Sequence, residues 1–470
     1  MQRRNFLRNS GLSLLGAKFI HPFFIPADND LSESRQLKSE AKNIIFMVSD
    51  GMSSGTLNMA DLLLQRKYGR QSTWMQLYSQ NNVTRALMDT ASASSLVTDS
   101  AAASSAWGGG VRVNNGALNV DANGTFHKPI LQKFKDAGKS VGCVTTVPIT
   151  HATPAGFCIN NNKRGDQAEI ALQYLPLKFD VMMGGGAEFF SGEKRKDRQD
   201  VFGMFEASGY TVIKHRNELL EISSQQAKPV LGVFHEDGLP YTLDRMQDAE
   251  LQSAVPTLAE MTQKAIQLLE RNKKGFVMQV EGGKVDWAAH ANDSIALLYD
   301  QIAFDEAVKV AIDYAAQDKN TLVIITTDHG NSNPGFYGEN ANFEKLHGFT
   351  HTNEWILKAI NKDFTESQVI ELVQTAQGLV LKKEEAASIV KHYAALDSDG
   401  IYNPYKLPFE LLGKIQTPYT SIGWGAMDHS ADYVELCMFG PGKELLNNFV
   451  KNTDLHQLML QATGLTTHKV

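Results

Sequence analysis

The residues best placed to do chemistry begin with Ser100, in the run Thr98 to Ala103, TDSAAA, which continues through Ser104, Ser105 and Ala106 to the glycines Gly108 to Gly110. A loop feeding a helix of alanines and serines would put this hydroxyl at a helix N-terminus. There, unpaired N–H groups and the positive end of the helix dipole favour an anion such as a phosphoryl group. Taken by itself the segment reads as an ordinary serine cap, since Ser is a favoured capping residue. Carboxylates, imidazoles and a hydroxyl also follow four apolar runs. Asp50-Gly51 follows Asn43 to Ser49, His151 and Thr153 follow Ser140 to Val147, Glu281-Gly282-Gly283 follows Phe276 to Val280, and Asp328-His329-Gly330 follows Leu322 to Thr327. One terminal Asp is commonly a turn former, but turn chemistry does not explain four such ends together. Asp286 and His290 would share a face if residues 286–292 are helical, either as an ion pair on a solvated helix or as two ligands closing on one cation. His429 stands just before the last buried run. Histidine mixed with carboxylate suits catalytic zinc, whereas all-oxygen sets suit magnesium.

These side chains need a scaffold that brings distant segments to one rim. The apolar, β-branched runs named above, with Phe179 to Met183 and Tyr433 to Phe439, have the composition of strands buried on both faces. Helical patterns such as Pro256 to Arg271 and Ser294 to Ala316 lie between them. The alternation predicts an α/β fold, a three-layer sandwich around a large, mostly parallel central sheet. In such sheets ligands bind beyond the carboxyl ends of the strands, which is where the candidate residues fall.

With these motifs in family order from Asp50 to about Gly442, the chain resembles metal-dependent alkaline phosphatases of the serine-nucleophile type. The resemblance implies hydrolysis of small-molecule phosphate monoesters through a phosphoserine on Ser100, with two Zn2+ and one Mg2+. Carried over, Asp286, His290 and His429 would hold the first zinc, and Asp50, Asp328 and His329 the second. Asp50, Thr153 and Glu281 would serve magnesium. Arg164 would clamp the phosphate oxygens, and Asp99 would orient Arg164. Two positions depart from the enterobacterial form, His151 where that form has Asp near magnesium and Trp287 where it has Lys. A hard cation prefers oxygen, so these departures imply looser magnesium and easier phosphate release. The alternative reading is a phosphodiesterase or sulfatase-type hydrolase of the same superfamily, or a non-catalytic phosphate-binding relative. The former usually present Thr or a modified Cys where this chain has Ser100, and the latter would have lost ligands.

The chain has 470 residues and a formal charge of −7. Its first 27 residues hold Arg3, Arg4, Arg8 and Lys18 and no acid, leaving 41 basic against 52 acidic residues in the body. An acidic body argues against nucleic acid or anionic membrane as a default partner. Arg3-Arg4-Asn5-Phe6-Leu7 and the weakly apolar stretch after it resemble a twin-arginine export signal over residues 1–27. That leaves 28–470 as a single domain whose segments at about 184–256 and 333–419 match no motif. No other run is long enough to span a membrane. By resemblance the insertions would form a crown or cap, the protein would be a homodimer, and its location would be periplasmic, or else secreted or membrane-attached. In the second segment, residues 367–395 look helical and His347 and His351 read as loop histidines or an accessory metal pair. Of three cysteines, Cys143 and Cys158 could bridge in an oxidising compartment or remain small buried hydrophobes.

Overall fold

Uninterrupted apolar runs are stable as strands only when both faces are covered, and the central strands are placed in that way. The computed structural model describes residues 40–396 and 404–465; the proposed export signal at 1–27 lies outside them. In chain order the strands are β1 Asn43–Ser49, β2 Thr84–Asp89, β3 Ser140–Pro148, β4 Val181–Gly185, β5 Thr211–Ile213, β6 Val230–Val233, β7 Phe276–Gly282 and β8 Thr321–Thr326. The short strands β9 Gly330–Asn331, β10 Gly335–Phe336, β11 Ile422–Gly423 and β12 His429–Ser430 follow, then β13 Val434–Phe439 and β14 Phe449–Lys451. Ten of them form one sheet in the order β14-β2-β13-β8-β1-β7-β3-β4-β6-β5. From β8 to β5 every pairing is parallel, and β13 runs antiparallel to both β8 and β2.

Alternation along β1 shows the three layers directly. Ile44, Phe46 and Val48 enter one core with Trp107, Phe134 and Phe157, while Ile45 and Met47 enter the opposite core with Trp74, Met261 and Phe304. The segment 184–256, which carries no recognisable motif, supplies β5 and β6 and so extends the sheet at one edge. The segment 333–419 builds a third core, in which Ile356, Val373 and Ile389 pack with Leu63, Ile295 and Leu298. Its expected continuous helix over 367–395 is two helices, Glu366–Gln377 and Lys383–Ala395. The break follows from Gly378, which takes a left-handed φ of 67° and closes the first helix through its N–H to Gln374. His351 faces Asp244 at 3.3 Å and stacks on Trp355 at 3.9 Å, whereas His347 lies in the turn Lys345–Gly348.

The small residues after Ser100 have a packing cause. All nine residues of the helix Ser100–Gly108 are buried, and the helix crosses Ala152–Cys158 at very close range. A Cβ on Gly108 would stand 1.9 Å from the carbonyl oxygen of Gly156, and one on Gly156 would stand 2.1 Å from Ser104 Oγ. Ser104 joins the pair by donating to Ala101 and Ala152 carbonyls. Gly156→Ala is expected to destabilise the protein by about 1–3 kcal/mol through overpacking, read as a lower denaturant midpoint; a midpoint equal to wild type would show that the crossing yields without cost.

Candidate active site

Four adjacent strands, β8, β1, β7 and β3, deliver their carboxyl ends to one rim. Register keeps them in step: Val48 pairs with Glu281 on one side and Thr326 on the other, so Asp50 and Asp328 emerge two residues later at matching height. His151 and Thr153 follow β3 at the start of the helix Ala152–Cys158. Asp286, Trp287 and His290 lie on the helix Lys284–His290, which follows β7 at once. His429 arrives by a different device, the two-residue pairing of β12 with β9, which sets it opposite Asn331 just beyond Asp328-His329.

Ser100 is the first residue of its helix, and the cap is Asp99 rather than Ser100. One Asp99 oxygen accepts from Ala102 N–H at 2.9 Å; the other accepts from Gly116 N–H at 2.9 Å and Arg164 Nη1 at 3.1 Å. With the capping task taken by its neighbour, the Ser100 hydroxyl is left facing His329 Nε2 at 3.3 Å. The second guanidinium nitrogen of Arg164 lies 3.2 Å from His151 Nε2, whose ring stands edge-on to Trp287 at 6.2 Å.

Three groups that could hold a metal ion converge: Asp286, His329 and His429; Asp50, Asp328 and His329; and Asp50, His151 and Glu281. His290 adjoins the first, with Nε2 3.0 Å from His429 Nε2, and Thr153 adjoins the third, donating to Asp50 Oδ2 at 3.1 Å. The donor chemistry fits cations at all three. His290 Nδ1 faces the Met427 carbonyl at 2.6 Å and His429 Nδ1 faces that of Thr98 at 2.9 Å. Each Nδ1 must therefore carry hydrogen, which leaves two Nε2 lone pairs opposed unless a cation or proton lies between them. Asp50 Oδ1, Glu281 Oε1 and Asp328 Oδ2 are buried with no hydrogen-bond partner, an arrangement that costs free energy unless a positive charge is bound there.

The electrostatics show the same strain. Burial, followed by repulsion from Asp328, Asp286 and Glu281, raises Asp50 well above the ordinary carboxylate range. Burial pushes Glu281 up to about 7 against the hydrogen bond from Thr145, and Asp328 up to about 6 against the Gly51 N–H. Burial and then Arg164 push His151 down to about 3. Asp286 is held low despite burial because His290 and His429 face it, and His429 is raised to about 9 despite burial because Asp286 faces it.

All thirteen residues singled out from the sequence are thus at or around one rim. Several neighbours were not singled out. Asn331 Nδ2 donates to Asp286 Oδ1 at 2.7 Å, Thr145 donates to Glu281, and Thr327 Oγ1 takes the Met52 N–H at 2.9 Å while donating to the His329 carbonyl. Asn331 lies two residues past Asp328-His329, close enough for its proximity to have been a signal; the threonines sit inside strand-like runs and gave none. Behind the rim, Cys143 and Cys158 are free thiols with sulfurs 3.5 Å apart, and Cys437 lies in the other core.

A family model described as "Alkaline phosphatase" matches residues 41–465. Alkaline phosphatase 4 of Bacillus subtilis (strain 168) is 33% identical over 432 residues, spanning 90% of this chain and 89% of the relative. The alkaline phosphatase of Escherichia coli (strain K12) is 32% identical over 332 residues, spanning 62% and 70%. The crystal structure of Thermus thermophilus alkaline phosphatase matches with a TM-score of 0.84 at 32% identity, over 92% of this chain and 93% of that one.

The cluster makes metal-free stability depend on pH. A group whose folded pKa exceeds its unfolded value stabilises fully below the unfolded value and loses that contribution as pH rises through the folded one. For His429 the window runs from 6.5 to about 9, and the upward shift of Asp50 acts in the same sense. Chelator-treated protein is therefore expected to melt at lower temperature at pH 9 than at pH 7, with the difference removed when divalent metal is restored. Equal melting of the metal-free form at both values would contradict the assignment.

Proposed function

This chain belongs to the alkaline phosphatase family and hydrolyses phosphate monoesters, and on that premise we propose that Ser100 is the nucleophile and that the three ligand groups are its metal sites. The observation that carries the reading is the Ser100 hydroxyl, buried and 3.3 Å from His329 at the edge of the Asp50, Asp328 and His329 group, with Arg164 tethered to the adjacent Asp99. Asp286, His290 and His429 would hold one zinc, Asp50, Asp328 and His329 a second, and Asp50, Thr153 and Glu281 magnesium, with His151 beside it. When bound, such ions supply the positive charge that stabilises the entering and leaving oxygens of an in-line displacement.

The chain's own residues supply position and orientation. Arg164, held by Asp99, presents its guanidinium fork to two non-bridging phosphate oxygens, a geometry suited to bidentate binding. Ser100 Oγ attacks phosphorus, the bond to the ester oxygen breaks, and the alcohol departs, leaving phosphoserine. Water then attacks from the vacated side, the Ser100–phosphorus bond breaks, and phosphate is released. Because Asp99 takes the capping role, the Ser100 hydroxyl has no competing bond to its own helix. His151 and Trp287 stand where the enterobacterial form has Asp and Lys, so this chain lacks the carboxylate and the ammonium that would retain magnesium and phosphate. The proposal extends to a homodimer and to export into the periplasm by the twin-arginine route; these rest on the family resemblance and on Arg3-Arg4. Among the described residues no helix is long and apolar enough to cross a membrane.

Ser100→Ala is expected to lower hydrolysis of a phosphate monoester by at least about 10³-fold with the fold unchanged; turnover near wild type would reject the nucleophile. The wild type should lose activity to a chelator, regain it with zinc, and favour the monoester over diester and sulfate ester. Trp287→Lys is expected to tighten inhibition by inorganic phosphate about tenfold, the order of one added charge-assisted hydrogen bond. An unchanged inhibition constant would dismiss Trp287 as the cause of easy release.

A further inference from the structure

Lys284 begins the helix that carries Asp286, Trp287 and His290, yet it is 4% exposed. A lysine so buried needs a specific place for its charge. Its ammonium lies 3.7 Å from the centroid of Tyr241 and 4.5 Å from that of Trp287, between the electron-rich faces of two aromatic rings. Lys284 and Trp287 are three residues apart, so they share a helix face. Tyr241 comes from the segment 184–256, and its position is fixed by the next residue: Thr242 donates its N–H and hydroxyl to buried Asp300 at 3.1 and 3.2 Å.

Gly238, from the same segment, closes the arrangement. A Cβ there would stand 2.8 Å from Trp287 Cζ3, 3.0 Å from Cη2 and 3.4 Å from Lys284 Cδ, so only a glycine lets the loop backbone lie against the indole. That loop is itself pinned where Leu239 N–H donates to the Thr146 carbonyl at 2.8 Å, and Thr146 Oγ1 in turn accepts the Lys284 N–H at 3.0 Å. The indole also stands edge-on to the ring of His151, which contacts Arg164. A displacement of Trp287 would thus reach the side chain proposed to grip phosphate through one intermediate ring.

We propose that Lys284, Tyr241 and Gly238 form a clamp that fixes the Trp287 indole against His151, making Lys284 and Gly238 positioning residues for phosphate binding. The inference rests on the phosphatase reading, but it separates from it. The cation faces the carboxylates of Asp300 and Glu354 as well as the two rings, so arginine, which also stacks on aromatic faces, should replace lysine, whereas an uncharged chain of similar length should not.

The test labels the metal-loaded protein with 5-fluorotryptophan, assigns the Trp287 fluorine signal with Trp287→Phe, and measures phosphate-monoester kinetics with inorganic phosphate as inhibitor. Lys284→Met and Gly238→Ala are expected to shift and broaden the Trp287 signal. Both should raise KM and the phosphate inhibition constant together by at least about threefold while kcat changes less, the pattern of lost uniform binding. Lys284→Arg should restore all three readouts. If Lys284→Met does not fold, Tyr241→Leu removes one ring face and is expected to give the same pattern. Wild-type-like signal, KM and inhibition constant in the variants overturn the clamp while leaving the phosphatase reading intact. A fall confined to kcat also overturns it. Absence of monoesterase activity in the wild type would overturn the phosphatase reading instead, with the Trp287 signal still reporting on the clamp.

Discussion

Like charges gathered out of water are the constraint on which the rest of the structure depends. Asp50, Glu281, Asp286 and Asp328 are at most 5% exposed, and they share a rim with His329, which is fully buried. In a medium less polarisable than water such a set is strongly self-repelling, and neutralisation must come from protons or from bound cations. The scaffold therefore has to be rigid before the site is. Parallel strands whose cores fill both faces hold the carboxylates at fixed height, and the tight crossing behind Ser100 leaves no freedom for its helix to retreat. A divalent ion that binds this arrangement stabilises the fold as well as completing the site.

The main strands were legible because burial on both faces removes the polar interruptions that blur a pattern. β1 falls on Asn43–Ser49 as expected, and the candidate ligands follow the strands that alternation identified. Other features were hidden for identifiable reasons. Asp99 and Ser100 are adjacent and both are good caps, so the sequence could not show that the carboxylate takes the capping role and frees the hydroxyl. β5 and β6 have three and four residues, too short for a periodicity to register. His429 is brought in by a two-residue pairing with no composition of its own. Gly238 and Tyr241 carry no motif, because what matters about them is a backbone approach and a ring face.

The helical segment 333–419 is tied to the site by more than apolar packing. Asn353 N–H donates to Asp293 at 2.6 Å, and the Asn353, Gln377 and Gln416 side chains bond to one another inside the third core. Asp293 also caps the long helix Ser294–Asp318 through Ala296 N–H. It lies three residues beyond His290, so the added layer anchors the turn just after that side chain. A satisfied buried amide network admits few alternative packings, which gives the segment a definite seat on the sheet domain.

The order of strands in the sheet also bears on synthesis. Among the described residues β1 is the first strand made, yet it lies in the middle: Ile44 pairs with Val277 of β7 and Leu322 of β8. A chain emerging from the ribosome must therefore carry Asn43–Ser49, a wholly apolar stretch apart from its two ends, without either sheet neighbour until more than half of the protein has been made. Non-local pairings of this kind form slowly and leave sticky edges exposed meanwhile. Sheltering that one segment during translation is the demand this topology places on the cell, and only the arrival of β8 ends it.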